Sequence, residues 1–257
     1  MRQEELEFIE EQVTKKARKE KKPKQKFVEQ REEEVKNNPL TPWNEKQKEY
    51  IRMMEDPDIG LIIATGWPGT SKTYIPVIMA CDLLRTKKIK KIVFTRPNIS
   101  NSKSLGMFKG DLIEKISQWL MPVISILRER LGEAVLEIAI KRGDIEFVPM
   151  EVVKGYSAED CVFICDEAED ISIDEAKKLV TRQGHNCKMI LAGDIGQSEL
   201  KEKSGLKHLI MMAKKYDTLK VGLIDFNNIN DIVRSDQCKQ WTIAFRKEER
   251  DSERVTD

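Results

Sequence analysis

The chain has 257 residues, 40% hydrophobic and 35% charged, with a formal net charge of +1. That length suits one α/β domain with a core and appendages. No apolar run reaches the roughly 20 residues a membrane span needs, and the opening MRQEELEFIEEQ has no apolar signal core, so membrane and secreted classes are set aside and a cytoplasmic protein is expected. The five cysteines, Cys81, Cys161, Cys165, Cys187 and Cys238, are scattered and odd in number, which fits reduced thiols. Cys161 and Cys165 lack CxxC spacing. With only His185 and His208 to help, neither a zinc site nor a histidine-based triad is indicated.

Residues 1–37 form a charged extension without glycine, in which EELEFIEEQV has helical character. The stretch KKARKEKKPKQK, residues 15–26, holds eight Lys/Arg and one Glu, and Pro23 breaks any helix there. It reads either as a solvated arm or as a phosphate contact to nucleic acid; no aromatic is interleaved for base stacking. The globular domain spans 38–245. Thr41 is the expected cap of a first helix, with Pro42 at its first position and an apolar rhythm through Trp43, Tyr50, Ile51 and Met54. IGLIIATG from Ile59 is a buried strand, and TYIPVIMACDLLRTKK the helix after it. KKIVFTRP is a strand, and GDLIEKISQWLMPVISILRERLG a helical hairpin or a helix kinked at Pro122. AVLEIAIKRG is a helix and DIEFVP a short strand. CVFICDEAED is a central strand ending in acids, DEAKKLVTRQG a helix, and KMILAGDIGQ a strand plus loop. LKHLIMMAKKY is a helix and KVGLIDF a strand. The tail 246–257, whose one apolar side chain is Val255, is expected to fray.

Short apolar strands alternating with helices predict an α/β fold with a mostly parallel sheet covered on both faces. Ligands of such sheets sit at the carboxyl ends of the strands, and three motifs fall at those ends. The first is TGWPGTSKTY, Thr65–Tyr74. It carries the parts of a phosphate loop: Gly66 and Gly69 for tight turns, Lys72 for charge, Thr73 for a magnesium-holding hydroxyl, then a helix whose positive end faces the anion. Ser71 stands where the full pattern has glycine. It keeps its backbone N–H but adds a Cβ, at a cost of about 1 kcal/mol if positive φ is required. The second is VFICDEAE. Asp166 at the strand end suits magnesium, and Glu167 suits an attacking water. The third is LAGDIGQ, in which Asp194 ends a strand and Gln197 can sense a γ-phosphate. Alone, the first and third also read as ordinary turns and the second as a solvated loop rich in acids; in this order they point to a nucleoside triphosphatase.

With IVFTRPNIS, SLGMFKGDLIEKISQWLMPV, FVPMEVVKGYS, VFICDEAED, LVTRQG, KMILAGDIGQ, KSGL and DIVRSD in series, the chain closely resembles the PhoH family over roughly residues 40–240. That family of P-loop ATPases is related to superfamily 1 helicases and named for phosphate-starvation induction; the short chain with a charged extension looks like a viral member. The resemblance implies a single RecA-like P-loop domain behind a charged helical extension. It implies ATP and Mg²⁺ as cofactors, and a Walker A loop of Gly66, Trp67, Pro68, Gly69, Thr70, Ser71, Lys72 and Thr73. It also implies Walker B acids Asp166 and Glu167, and the sensor pair Asp194 and Gln197. Glu169 stands where the family often has glutamine. Gln47 is similar in placement to an adenine-reading glutamine, or is a surface helix residue. Arg96, Arg182 and Arg234 match recurrent family arginines, open to phosphate contact, nucleic-acid contact or an ion pair.

Superfamily 1 helicases place their nucleotide between two sheet domains, and this chain has material for one. The missing arginine would therefore come from a neighbouring subunit in a ring, a hexamer by resemblance, with Arg234 the first candidate and Arg182 the second. RNA or single-stranded nucleic acid is the expected partner. The alternatives are a nucleotide-dependent assembly or regulatory module with slow or no hydrolysis, and a structural protein with a vestigial loop.

Overall fold

A computed structural model describes residues 38–97 and 121–255, with side chains to 248. The basic extension 1–37, and the first part of the stretch expected to form a helical hairpin, lie outside the described residues. Six strands form one sheet in the order β3-β2-β4-β5-β1-β6. They are β1 Leu61–Gly66, β2 Lys91–Thr95, β3 Ile145–Phe147, β4 Cys161–Cys165, β5 Cys187–Gly193 and β6 Val221–Phe226. Every pairing is parallel, as the continuous apolar runs predict.

Alternate residues of each strand enter two separate cores. On one face Ile62, Ile92, Phe94, Val162, Ile164 and Ile190 pack under α1 Glu45–Glu55, α2 Tyr74–Arg85, α3 Met121–Leu131 and α4 Glu133–Arg142. On the other, Ile63, Val93, Phe163, Cys165, Met189 and Leu191 pack under α5 Ile173–Val180 and α6 Gly205–Lys215. Helices on both faces leave the strand ends as the exposed backbone, and the carboxyl ends carry the candidate motifs. Cys81, Cys161, Cys165 and Cys187 are buried and free, as small hydrophobes are.

Two boundaries differ from expectation. Helix α1 starts at Glu45, not after Thr41, because Asn44 is extended and its side chain accepts the Gln47 N–H at 2.8 Å. Pro42 and Trp43 thus precede the helix. The C-terminal segment expected to fray from 246 is instead part of α7, Asp236–Val255. That span has no glycine or proline and is rich in Arg, Lys, Glu and Gln, so low hydrophobicity does not stop it being helical. Among the described residues no helix is long and apolar enough to cross a membrane.

Candidate nucleotide site

Strand β1 runs straight into the loop 66–73, and three residues of that loop have positive φ. Gly66 sits at +121° and Gly69 at +76°. A Cβ on Gly66 would run into the backbone of Phe226, whose carbonyl also accepts the Trp67 N–H at 2.9 Å. The end of β6 therefore presses on the loop from outside, and only glycine permits it. Ser71 is the third, at φ +72°, so the position where the full pattern has glycine does adopt the left-handed conformation, and the serine carries its strain.

The Lys72 ammonium donates to the carbonyls of Gly66 at 2.6 Å and Trp67 at 2.8 Å, across the mouth of the loop. Burial pulls its pKa below the ordinary lysine range, against the opposing pull of Asp194, Glu169, Asp166 and Glu167. From behind, the Tyr50 hydroxyl donates to the Lys72 carbonyl at 3.1 Å. Gln47 is 2% exposed, which removes the surface-helix reading. Its Nε2 donates to the Thr70 carbonyl at 3.3 Å and its Oε1 accepts from the Trp43 N–H at 2.8 Å, so helix α1 braces the loop through it.

A cleft of about 630 Å³ opens over residues 68–74 and is lined also by Asp166, Glu167, Glu169, Asp194, Gln197 and Arg234. The structure thus gathers all three sequence motifs at one place. The Thr73 hydroxyl donates to Asp166 Oδ1 at 2.6 Å. Burial pushes the Asp166 carboxyl above its ordinary range, while the Thr73 hydrogen bond and Arg96 oppose that rise. These two hard oxygen donors, already in contact at the head of α2, would suit a magnesium ion. Gln197 closes the short 3₁₀ turn Ile195–Gln197 after β5.

The arginines divide. Arg96 Nη2 pairs with Glu167 Oε1 at 3.0 Å, so of its three possible roles the ion pair is the one seen. Arg234, the first candidate for reaching a neighbour's site, instead lines the cleft of its own chain, with the Val233 N–H bonded to the Gly69 carbonyl at 2.9 Å. A Cβ on Gly69 would come within 2.8 Å of Arg234 Cδ. Arg182 is not part of this cleft. Its Nη1 donates to the Lys154 carbonyl at 3.0 Å, next to the Ala158–Gln183 bridge that precedes β4 and β5, hence at the amino ends of the strands.

Sequence reasoning misses two residues. Glu169 receives no role from it, yet this acid is 3% exposed and lies between the acids and the sensor. Arg246 falls in the segment expected to fray, yet its Nη2 pairs with Asp194 Oδ2 at 2.5 Å. The signal for Arg246 is a run from Asp236 without glycine or proline and rich in Arg, Lys, Glu and Gln.

A model of the family described as PhoH-like protein matches residues 39–246. A PhoH-like protein of Bacillus subtilis is 35% identical over 204 residues, covering 79% of this chain and 62% of that protein. Protein PhoH of Escherichia coli is 32% identical over 212 residues, covering 81% of this chain and 58% of that protein. The chain therefore spans about three fifths of the length of these relatives. Among solved structures, the large terminase of a thermophilic bacteriophage aligns with a TM-score of 0.47 at 12% identity, over 77% of this chain and 48% of that one. Pif1 helicase from Candida albicans aligns with a TM-score of 0.33, also at 12% identity, over 74% of this chain and 41% of that one.

Proposed function

This chain belongs to the PhoH-like protein family, and from that premise we propose that its cleft binds ATP with Mg²⁺ and hydrolyses it. The observation that carries the reading is the Thr73–Asp166 contact at 2.6 Å. It joins the phosphate loop to the acidic strand end and so brings together the two groups that would hold a metal there. The loop amides and Lys72 would take the phosphate charge, and a magnesium ion held by Thr73 and Asp166 would supply further positive charge there. Glu167, paired with Arg96, polarises the attacking water, and Gln197 registers the γ-phosphate. Arg234 faces the cleft in cis. An arginine from a neighbouring copy would complete the site in a ring, most simply a hexamer, and Arg182, which lies outside its own chain's cleft, is our candidate for it. RNA or single-stranded nucleic acid is the substrate on which the energy acts, with the basic residues 15–26 as tether.

ATP turnover by the wild type and by Lys72→Ala, with and without RNA, tests this. Lys72→Ala is expected to lose on the order of 100-fold or more in turnover, the scale of one preorganised charge at a developing anion. A wild type with no turnover under any condition overturns it.

The positive φ of Ser71 favours a second reading, a module that holds ATP and changes assembly without fast chemistry. Nucleotide-dependent oligomer size with negligible hydrolysis would favour that one.

A further inference from the structure

Helix α7 meets the nucleotide site at two separated points. Just before the helix, the Val233 N–H bonds the Gly69 carbonyl of the phosphate loop at 2.9 Å, and Arg234 lines the cleft. Further along, Arg246 Nη2 donates to Asp194 Oδ2 at 2.5 Å. Between Asp236 and Arg246 the helix rises about 15 Å. One segment is therefore tied to the loop after β1 at its start and to the end of β5 three turns later.

Asp194 is 6% exposed, and a carboxylate so buried needs partners. Its Oδ1 accepts the Gly196 N–H at 3.0 Å, and its Oδ2 accepts from Arg246. Its carbonyl accepts the Gln197 N–H at 2.8 Å. The 3₁₀ turn that carries Gln197 thus hangs on Asp194, and Asp194 is held by Arg246. The guanidinium also lies against the turn itself. A Cβ on Gly196 would come within 2.0 Å of Arg246 Nη1 and 2.9 Å of Cζ, so the bare glycine is what admits the arginine. A planar, many-donor guanidinium can do both at once, where a lysine ammonium is a point charge. Asp194 and Gln197 line the cleft, and Arg246 is not part of that lining, so it acts on them from behind.

We propose that Arg246 is a positioning residue: it fixes Asp194, and through Asp194 it sets the place of Gln197 opposite the phosphate loop. This rests on the ATPase reading above. The rival account is an ion pair that only fastens α7 to the domain. The two differ in where a loss is felt. A fastener acts on α7 and on global stability. A positioning residue acts on the 195–197 turn and on the chemical step, and leaves the phosphate loop and Lys72 to bind nucleotide as before.

The test uses the full chain, at a temperature well below the melting point of every variant. Arg246→Ala is expected to lower kcat on the order of tenfold or more while KM for ATP with Mg²⁺ stays within about threefold, the pattern of contacts realised in the transition state alone. Arg246→Lys keeps a cation near Oδ2 and should recover part of the loss. Gly196→Ala reaches the same contact from the other side. Its methyl meets the far end of a flexible side chain, so it displaces the guanidinium without removing it. It should cost the wild type about as much as Arg246→Ala does, and cost Arg246→Ala almost nothing more. Amide hydrogen exchange gives a readout that needs no catalysis. Arg246→Ala should speed exchange at Gly196 and Gln197 by about tenfold or more, with β1 and β6 unchanged. An Arg246→Ala protein with wild-type kcat overturns the role, as does a turn that exchanges no faster without the arginine. Where Arg246→Ala does not fold, normal turnover and exchange in Gly196→Ala overturn it instead. A wild type without turnover sinks the ATPase reading, while exchange at the turn still decides whether Arg246 places it.

Discussion

Strands β1 and β5 are neighbours, and both end in a glycine, yet the two ends are held by different physics. The end of β1 is held largely by backbone: tight turns, the Trp67 N–H on the Phe226 carbonyl, the Val233 N–H on the Gly69 carbonyl, and Lys72 folded back onto its own loop. The end of β5 is held by side chains from far along the sequence, with Glu169 on the Asp194 N–H and Arg246 on the Asp194 carboxylate. A phosphate cradle must present N–H groups in fixed directions, which main-chain geometry supplies. A sensor must change partners when its ligand changes, which side-chain ion pairs and hydrogen bonds can do and a rigid turn cannot.

Substitutions at the two ends should break in different ways. Gly66→Ala should be the most damaging, because the added Cβ meets backbone on β6 at φ +121° and nothing flexible can yield. A loss of about 3 kcal/mol or more in chemical denaturation is expected, the scale of a backbone clash at a special φ. A loss below about 1 kcal/mol would mean that the loop and β6 part easily. Arg246→Ala should cost less, about 1–3 kcal/mol, since the buried Asp194 carboxylate that it leaves still accepts the Gly196 N–H at 3.0 Å. Asp194→Asn in the same background should recover part of that loss, because the amide oxygen keeps this bond without the charge. Additive effects of the two changes would show that the pair is not coupled.

The same contrast decides what could be read in advance. The strands were legible because the four central ones, β1, β2, β4 and β5, are largely continuous buried apolar runs bounded by turn residues. The phosphate loop was legible because its parts lie within eight residues and its chemistry is local. The α1 boundary was misplaced because Thr41 and Asn44 both satisfy the capping rule, and the choice is made by which side chain reaches a backbone N–H. The cis position of Arg234, the bracing role of Gln47 and the Arg246–Asp194 pair were not legible. Each joins residues that only the closed sheet brings together, and no spacing in the sequence encodes that. Glu169 was readable as a departure from a family pattern but not as a buried acid, since burial belongs to the fold and not to the residue.

Ser71 is where the two modes of holding meet, because a side chain occupies a position that backbone geometry reserves for glycine. Its φ of +72° costs an L-residue about 1–2 kcal/mol. Replacing it by glycine relieves that strain but adds about 0.5–1 kcal/mol of unfolded-state freedom. The two nearly cancel, so Ser71→Gly should change global stability by no more than about 1 kcal/mol. Turnover is therefore the sharper measurement. Ser71 lines the cleft beside Lys72, so crowding of the loop amides by its side chain is the effect to test. If that crowding sets the rate, the glycine variant hydrolyses ATP faster while its melting temperature hardly moves. Equal turnover in the two proteins would mean that the serine is accommodated without cost to the chemistry, and the reading of this loop as one that only holds its nucleotide would lose its structural basis.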